Sequence, residues 1–434
     1  MDSSIYHKRA SHRASITRVD SSIYNKRASI LNRRVKASDL AQRSSEIFYN
    51  THGNSALDSV APFERDEIIL GRRVGAGSFS RVYEIKAFHL RADQSDIYTK
   101  NQIWAREKIA QSVNNGARYV MKCLMDELED AADEELFLDA AEDIVYEAEM
   151  LGALSHPNII KLHGVVASRH DAFLDGPSAF FIILEKLEST LADRIESWKE
   201  QKQNSRNRNI SKSLKSFGNH ILRTGSTFSV DEVSSLSSRL NVAACLAEVI
   251  EYLHSQQIIY HDLKPKNVGF DSEGKLKLFD FGLARFMPRR GDPYKELYEL
   301  GGVGTPRYSS WEVNLDRPYN LKADVYSFAV VLWEIMSLKK PFAKYKNKKG
   351  FEMVVLKADQ ILVVNQRLPK PIRNIIRESL SRDIATRPTM SEVCRALSEC
   401  ASMGVESCDF DKISIGTGMS TVSLTTANSI CIYR

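Results

Sequence analysis

Apolar positions along this chain fall into two regimes. Between about residues 63 and 186 they form short runs separated by polar or glycine-containing turns. Ile68 to Leu70 leads into a Gly-rich bend that Val82-Tyr83 follows, which predicts a hairpin. Arg118-Tyr119-Val120-Met121-Lys122 predicts the next strand, and Ile160 to Val166 and Ala179 to Glu185 predict two more. One stretch in this region has helical spacing instead: Leu136, Phe137, Ile144, Val145 and Leu151 recur within and just beyond a strongly acidic segment, Met125 to Met150. Past residue 187 the pattern becomes helical. Leu191-Ala192-Asp193-Arg194-Ile195 begins one helix, and Leu240, Ala244, Leu246, Ala247, Ile250 and Leu253 form the stripe of another across Ser234 to Ser255. Lys275 to Phe279 is an apolar strand between polar segments.

Four stretches lack this patterning. Residues 1–62 are rich in Ser and Arg and poor in acids, and Ser3-Ser4-Ile5-Tyr6-His7-Lys8-Arg9-Ala10-Ser11 returns as Ser21-Ser22-Ile23-Tyr24-Asn25-Lys26-Arg27-Ala28-Ser29. Such a composition buries too little surface to offset chain entropy, so a disordered tail is expected. Its Lys-Arg-Ala-Ser repeats suit phosphorylation by a basophilic kinase, which would reverse the local charge. A basic start of this kind also serves as an organelle transit peptide. Residues 91–116 hold more chain than a hairpin between Val82 and Lys122 needs, and are expected to be a solvated insert. Ile103-Trp104 and Ile109 in it have the spacing of a short amphipathic helix. Residues 199–229 are polar and basic and read as a second, disordered insert; residues 402–434, Ser- and Thr-rich, read as a disordered tail.

The formal net charge of +5 over 434 residues is modest but unevenly placed. Basic tail and basic insert face an acidic helix, and docking of one on the other would bias whatever that helix controls; solvated charge on separate parts is the plainer alternative. The six cysteines show neither metal-ligand spacing nor a disulfide framework, which suits a reducing, cytoplasmic setting. No apolar run approaches the roughly 20 residues of a membrane helix, so no transmembrane segment is expected. Nucleic acid is not an expected partner.

The chemistry concentrates in Ile259-Tyr260-His261-Asp262-Leu263-Lys264-Pro265-Lys266-Asn267-Val268, with Asp280-Phe281-Gly282 beginning thirteen residues after Asn267. An acid, a lysine and an amide share one short loop, and a second acid follows a strand. This spacing suits phosphoryl transfer. Asp262 can orient a hydroxyl and take its proton, Lys264 can steady the moving phosphoryl group, and Asn267 and Asp280 offer the oxygen ligands that Mg²⁺ prefers. Upstream, the glycines of Gly71-Arg72-Arg73-Val74-Gly75-Ala76-Gly77-Ser78-Phe79-Ser80 let backbone N–H groups close over phosphates.

Taken together, these motifs resemble the catalytic loop, metal-binding motif and glycine-rich loop of the eukaryotic protein kinases. Lys264 in Leu-Lys-Pro-Lys-Asn resembles the serine/threonine kinases, and Leu332-Trp333-Glu334-Ile335 resembles the tyrosine-kinase-like group. The resemblance spans about Phe63 to Ala401. It implies an α+β, bilobal fold, with a small β-rich lobe (63–186) carrying one regulatory helix and a larger, mainly helical lobe (187–401). It implies that Lys122 holds the α- and β-phosphates of ATP and that Glu147 is its partner; Glu149, on another helix face, is the nearest rival. Gly75, Gly77, Val82 and Val120 would surround the nucleotide, Leu184 would be the gatekeeper, Glu185 to Leu187 the hinge and Gly269 the floor. Asp324 would hold the catalytic loop's backbone, and Arg387 would pair with Glu312. ATP and Mg²⁺ are the implied cofactors and protein hydroxyls the implied substrates. The rival is a pseudokinase scaffold.

The departures from the family pattern carry expectations of their own. Ser80 stands at the third glycine, Tyr260-His261-Asp262 replaces His-Arg-Asp, and Ser310-Trp311-Glu312 replaces Ala-Pro-Glu. An arginine at 261 would normally receive a phosphate from the activation segment; histidine is mostly neutral above its reference pKa of ~6.5. Leu283 to Gly304 contains no Ser or Thr, and Gly301 and Gly302 lie where the phosphorylated residue falls. Activity should therefore not require Ser/Thr phosphorylation there, with Tyr294 and Tyr298 remaining as acceptors. Val120 in place of alanine and Gly269 in place of leucine give a larger ceiling over a smaller floor. Lys266 replaces an acid that reads basic substrates, which argues against basophilic specificity, although Glu334 keeps a negative charge nearby.

Overall fold

A computed structural model describes residues 27–46, 48, 56–91, 97–130, 134–215, 230–288, 291–345 and 362–402. Its small lobe is a six-stranded sheet of β1 (Ala61–Phe63), β2 (Ile68–Ala76), β3 (Ser80–Phe88), β4 (Tyr119–Leu124), β5 (Leu162–Val166) and β6 (Phe181–Glu185), in the order β1-β5-β6-β4-β3-β2. Register decides which residues meet the cleft. Val82 lies opposite Lys122, Gly75 opposite Val82, and Val120 opposite Leu184. Cross-strand partners share a face and i, i+2 neighbours join them, so Val82, Val120, Lys122 and Leu184 line one side of the sheet.

Three helices lie in or against this lobe: α1 (residues 27–46), α2 (Lys100–Asn114) and α3 (Glu134–Ala153). Two of them overturn sequence expectations. The tail expected to be disordered to residue 62 is helical over 27–46, and its last residues begin β1, which pairs in parallel with β5. The averaged composition hid a stripe of small residues, Ala37 and Ala41, that are fully buried. The 91–116 segment is not a solvated loop through most of its length. A reciprocal Thr99–Gln102 capping box starts α2, Ile109 is buried, and Arg106 forms a 2.5 Å ion pair with Glu67 in which both side chains are at most 2% exposed.

The large lobe contains α4 (Leu191–Lys215), α5 (Val230–Ser255), α6 (Trp311–Asn314), α7 (Lys322–Ser337), α8 (Lys370–Ser379) and α9 (Met390–Ser402). Here too an expected disordered stretch is partly helical, since α4 runs on to Lys215; residues 216–229 of that insert, like the first repeat copy and 403–434, lie outside the described residues. Almost all of α7 is buried, as its run of apolar residues requires. Short strands β7 (Ser189–Thr190), β9 (Val268–Phe270) and β10 (Leu276–Leu278) make a second sheet, while β8 (Ile258–Ile259) pairs with β11 (Arg285–Phe286). The β9–β10 hairpin pairs Val268 with Leu278, so Asn267 and Asp280 emerge side by side at its open end. The α+β, bilobal architecture is thus present. Among the described residues no helix is long and apolar enough to cross a membrane.

Candidate active site

Lys122 enters the cleft from β4 and meets two carboxylates. Its Nζ lies 2.6 Å from Glu147 Oε2 on α3 and 3.1 Å from Asp280 Oδ1. Burial disfavours the ammonium, but the charges of Asp280 and Glu147 outweigh it and hold the Lys122 pKa above its ordinary value. Lys122 in turn holds the Asp280 carboxyl below the usual carboxylate range. Glu149 lies elsewhere: it is buried beside the segment around Ser45 and Ala56, and burial raises its pKa. The geometry therefore pairs Lys122 with Glu147.

The catalytic loop converges on Asp262. Lys264 Nζ donates to Asp262 Oδ2 at 2.5 Å and Asn267 Nδ2 donates to the same oxygen at 2.9 Å, while Thr305 Oγ1 donates to Asp262 Oδ1 at 2.6 Å. Lys264 also reaches Thr305 Oγ1 at 3.0 Å. Thr305 is the site residue that sequence reasoning missed; the available signal was its place next to Pro306 at the end of the Ser/Thr-free activation segment. His261 and Asp280 both have left-handed backbone, at φ 68° and 66°. Such strain persists only where surroundings enforce it. At His261 Asp324 does so, by accepting from the backbone N–H of Tyr260 at 2.7 Å and of His261 at 2.9 Å. Tyr260 also packs edge-on against Phe281, with ring centroids 5.3 Å apart, and its hydroxyl donates to the Phe279 carbonyl.

His261 has taken over a neutral job. Its Nδ1 lies 2.8 Å from the Leu283 carbonyl and its Nε2 lies 2.9 Å from the Tyr319 hydroxyl, which is 2.8 Å from the Gly301 carbonyl. Burial pushes the imidazole pKa down. As the neutral Nδ1–H tautomer it donates to Leu283, and the single Tyr319 O–H proton is shared between His261 Nε2 and Gly301. The activation segment is thereby tied to the catalytic loop at its start, Leu283, and through Tyr319 at Gly301, with no phosphate in either link. At the far end Arg387 forks onto Glu312 at 2.5 and 2.9 Å. Trp311 fills its departure position between the Arg317 and Arg382 guanidinium groups and donates Nε1–H to the Arg382 carbonyl at 2.9 Å.

The residues expected to surround the nucleotide come from both lobes. Gly77 N–H donates to Ser80 O at 2.8 Å, and a Cβ on Gly77 would stand 2.8 Å from Ser80 Oγ, so the hairpin tip admits no side chain there without a shift. Glu185 turns its carboxylate to the Lys161 N–H and the Lys277 ammonium, each at 2.8 Å, so its side chain is spent within the protein. Leu187 and Phe279 crowd the floor position: a Cβ on Gly269 would lie 2.5 Å from Leu187 Cδ1 and 3.3 Å from Phe279 Cε1. For a cation, the donor set fits Mg²⁺. Asn267 spends its amide nitrogen on Asp262, leaving Oδ1 as the atom for a metal, and the Asp280 side chain is 46% exposed to the cleft.

Residues 108–397 match the family model described as the protein kinase domain, which is more than half of the chain. The chain belongs to the protein kinase family. It is 32% identical over 187 residues to the Arabidopsis thaliana serine/threonine-protein kinase STY46, covering 43% of this chain and 31% of the relative. It is 26% identical over 336 residues to the Saccharomyces cerevisiae cAMP-dependent protein kinase type 3, covering 76% of this chain and 62% of the relative. A probable serine/threonine-protein kinase of Dictyostelium discoideum is 30% identical over 205 residues, covering 42% of this chain and 14% of the relative. The chain thus spans less than two thirds of the length of each of these relatives.

Proposed function

We propose that this chain is a serine/threonine protein kinase that transfers the γ-phosphate of ATP to protein hydroxyls. The observation that carries the reading is the triangle of Asp262, Lys264 and Thr305 beside the Lys122–Glu147–Asp280 chain. Asp262 would accept the substrate hydroxyl's proton, Lys264 and Thr305 hold its carboxylate in place, and Lys264 would share its charge with the transferring phosphoryl group. Lys122, held by Glu147, would position the α- and β-phosphates. Mg²⁺ on Asn267 and Asp280 would offset phosphate charge. The names of the relatives support hydroxyl-bearing protein substrates, and the tyrosine-kinase-like assignment rests on Leu332-Trp333-Glu334-Ile335. A phosphotransfer assay on wild type and Asp262→Asn tests this: the variant should lose about 10²–10⁴-fold in turnover, and equal activity in both would overturn the assignment in favour of a scaffold.

The same reading includes independence from activation-segment phosphorylation. His261 spends both ring nitrogens on Leu283 and Tyr319. The Tyr294 hydroxyl is 2.9 Å from His254 Nδ1, and Tyr298 is buried and paired with Tyr319, so neither tyrosine is presented as an acceptor. Phosphatase treatment of active enzyme should leave turnover unchanged; loss of activity with a phosphate mapped to this segment would refute it. Lys266 is exposed, and burial raises the Glu334 pKa to about 7, so neither favours arginine-rich substrates.

A further inference from the structure

The described part of the N-terminal segment runs along the regulatory helix α3. Arg34 Nε meets Glu129 Oε1 at 2.5 Å and Arg33 donates to the Glu129 carbonyl at 3.2 Å, just before α3 begins. Further along, Ser44 Oγ donates to Glu142 Oε1 at 3.3 Å. Near the C-terminal end of α3, the Ala56 carbonyl closes on Gly152, where a Cβ would stand 2.9 Å away. Between these points sits Phe48, only 3% exposed. Its ring meets two others edge-on: Tyr146 of α3 at 6.4 Å and Phe286 of β11 at 5.7 Å between centroids.

Those two rings belong to the two parts that must be correctly placed for phosphoryl transfer. Tyr146 immediately precedes Glu147. Phe286 lies in the activation segment four residues after Gly282, in the strand that pairs with β8 ahead of the catalytic loop. A second link spans the same junction: the Arg285 guanidinium lies 4.5 Å above the Tyr146 ring and 3.5 Å from Asp143 Oδ1. That link is half exposed and polar, whereas Phe48 supplies the apolar filling of the joint. Edge-on aromatic contacts fix relative orientation as well as burying area.

We propose that Phe48 is a positioning residue for phosphoryl transfer: docked by α1, it wedges Tyr146 of α3 against Phe286 of the activation segment and so holds Glu147 on Lys122. This rests on the kinase reading of the site. The chain supplies in cis the element that keeps its regulatory helix inward, and release of that element would disengage the helix and the segment together.

The test uses the full chain with Phe48→Ala and Phe48→Leu. Turnover per folded molecule, KM for ATP and amide hydrogen exchange are measured in each. Phe48→Ala should lower kcat at least tenfold and deprotect amides in the C-terminal half of α3 and at Arg285–Phe286, and Phe48→Leu should recover most of both. A purely structural role would lower the melting temperature while leaving kcat per folded molecule alone. Phe48→Ala turning over within twofold of wild type with unchanged exchange overturns the proposal. Should Phe48→Ala fail to fold, Ser44→Asp, which sets a charge against Glu142, carries the same test: the same peptides lose protection if the proposal holds and keep it if the proposal is wrong. If wild type and Asp262→Asn prove equally inactive, the kinase reading fails and the exchange comparison alone still decides whether Phe48 holds α3.

Discussion

Each lobe holds a buried carboxylate–cation pair, and the two differ in what they leave unspent. In the large lobe Arg387 commits both terminal nitrogens to Glu312, one of them also to the Lys322 carbonyl at 3.2 Å, and Nε to the Ser381 carbonyl at 2.8 Å; neither side chain of the pair is more than 1% exposed. In the small lobe one Lys122 ammonium is divided between Glu147 and Asp280, and it keeps 14% of its surface open. A saturated pair has nothing to offer a ligand. A lysine with two anionic partners and an open side can take a third. The position of the unspent hydrogen-bonding capacity, rather than burial of the pair, separates a structural joint from a binding group.

The largest expected effects test that contrast by crossing it. Lys122→Met should cut kcat about 10²–10³-fold, the scale for removing one preorganised electrostatic group, while urea unfolding moves little because Glu147 can take up a proton. Arg387→Ala should cost about 3–5 kcal/mol of stability by stranding the Glu312 charge in the interior. Chemical denaturation and single-turnover kinetics on the same two variants check both halves. Equal destabilisation by the two substitutions would erase the distinction.

Much of this contrast was legible in the sequence because the large lobe's motifs are local. Asp262, Lys264 and Asn267 share one loop, and Asp280 follows one hairpin later, so spacing alone brought them together. Pairing Glu147 with Lys122 came from the resemblance to the kinase family, and helical phase in the acidic helix served only to set Glu149 on another face. What was not legible depended on long-range contact. Arg34, Ala37, Ala41, Ser44 and Phe48 fall at helical spacing, but four of the five are small or polar, and in a Ser/Arg-rich segment composition outweighed them. Tyr319 likewise gives no local sign that its hydroxyl will reach His261 and Gly301. Arg106 looked like one more charge in an insert, and its partner Glu67 lies 39 residues earlier.

A pH series sharpens the comparison with a single titrating group from each lobe. Glu334 in α7 accepts from the Tyr308 hydroxyl at 2.8 Å, and burial raises its pKa to about 7. A raised carboxyl pKa favours the protonated folded form, so its contribution is lost as pH climbs from about 4.5 through about 7. His163 in β5 packs edge-on against Tyr119, and burial lowers its pKa to about 4. Its neutral form is the one folding favours, so stability is lost as pH falls from about 6.5 through about 4. Each is worth about 3–4 kcal/mol across its window, at roughly 1.4 kcal/mol per pKa unit. The signs oppose and the windows overlap, so the two largely cancel in wild type, which should show only a shallow maximum near pH 5–6. Glu334→Gln should remove the alkaline limb and His163→Phe the acidic one in urea titrations; parallel profiles for wild type and both variants would rule the assignment out.

The smallest effect asks whether the open side of Lys122 really faces a nucleotide, without touching the pair. Gly269 has no room above it: Leu187 Cδ1 lies where a Cβ contact would be 2.5 Å, and Phe279 flanks the same space at 3.3 Å. Because Leu187 Cδ1 is the end of a flexible side chain, Gly269→Ala should be absorbed by a small rotation. Gly269→Leu adds three further carbons, and these can go only into the slot or into Leu187 and Phe279. Overfilling of this kind costs about 1–3 kcal/mol, so ATP affinity should fall roughly tenfold by direct titration while the Lys122–Glu147 contact is untouched. The expected order is wild type and Gly269→Ala together, with Gly269→Leu weaker. Unchanged affinity in Gly269→Leu would place adenine away from this floor and detach the lysine's open side from the slot between the lobes.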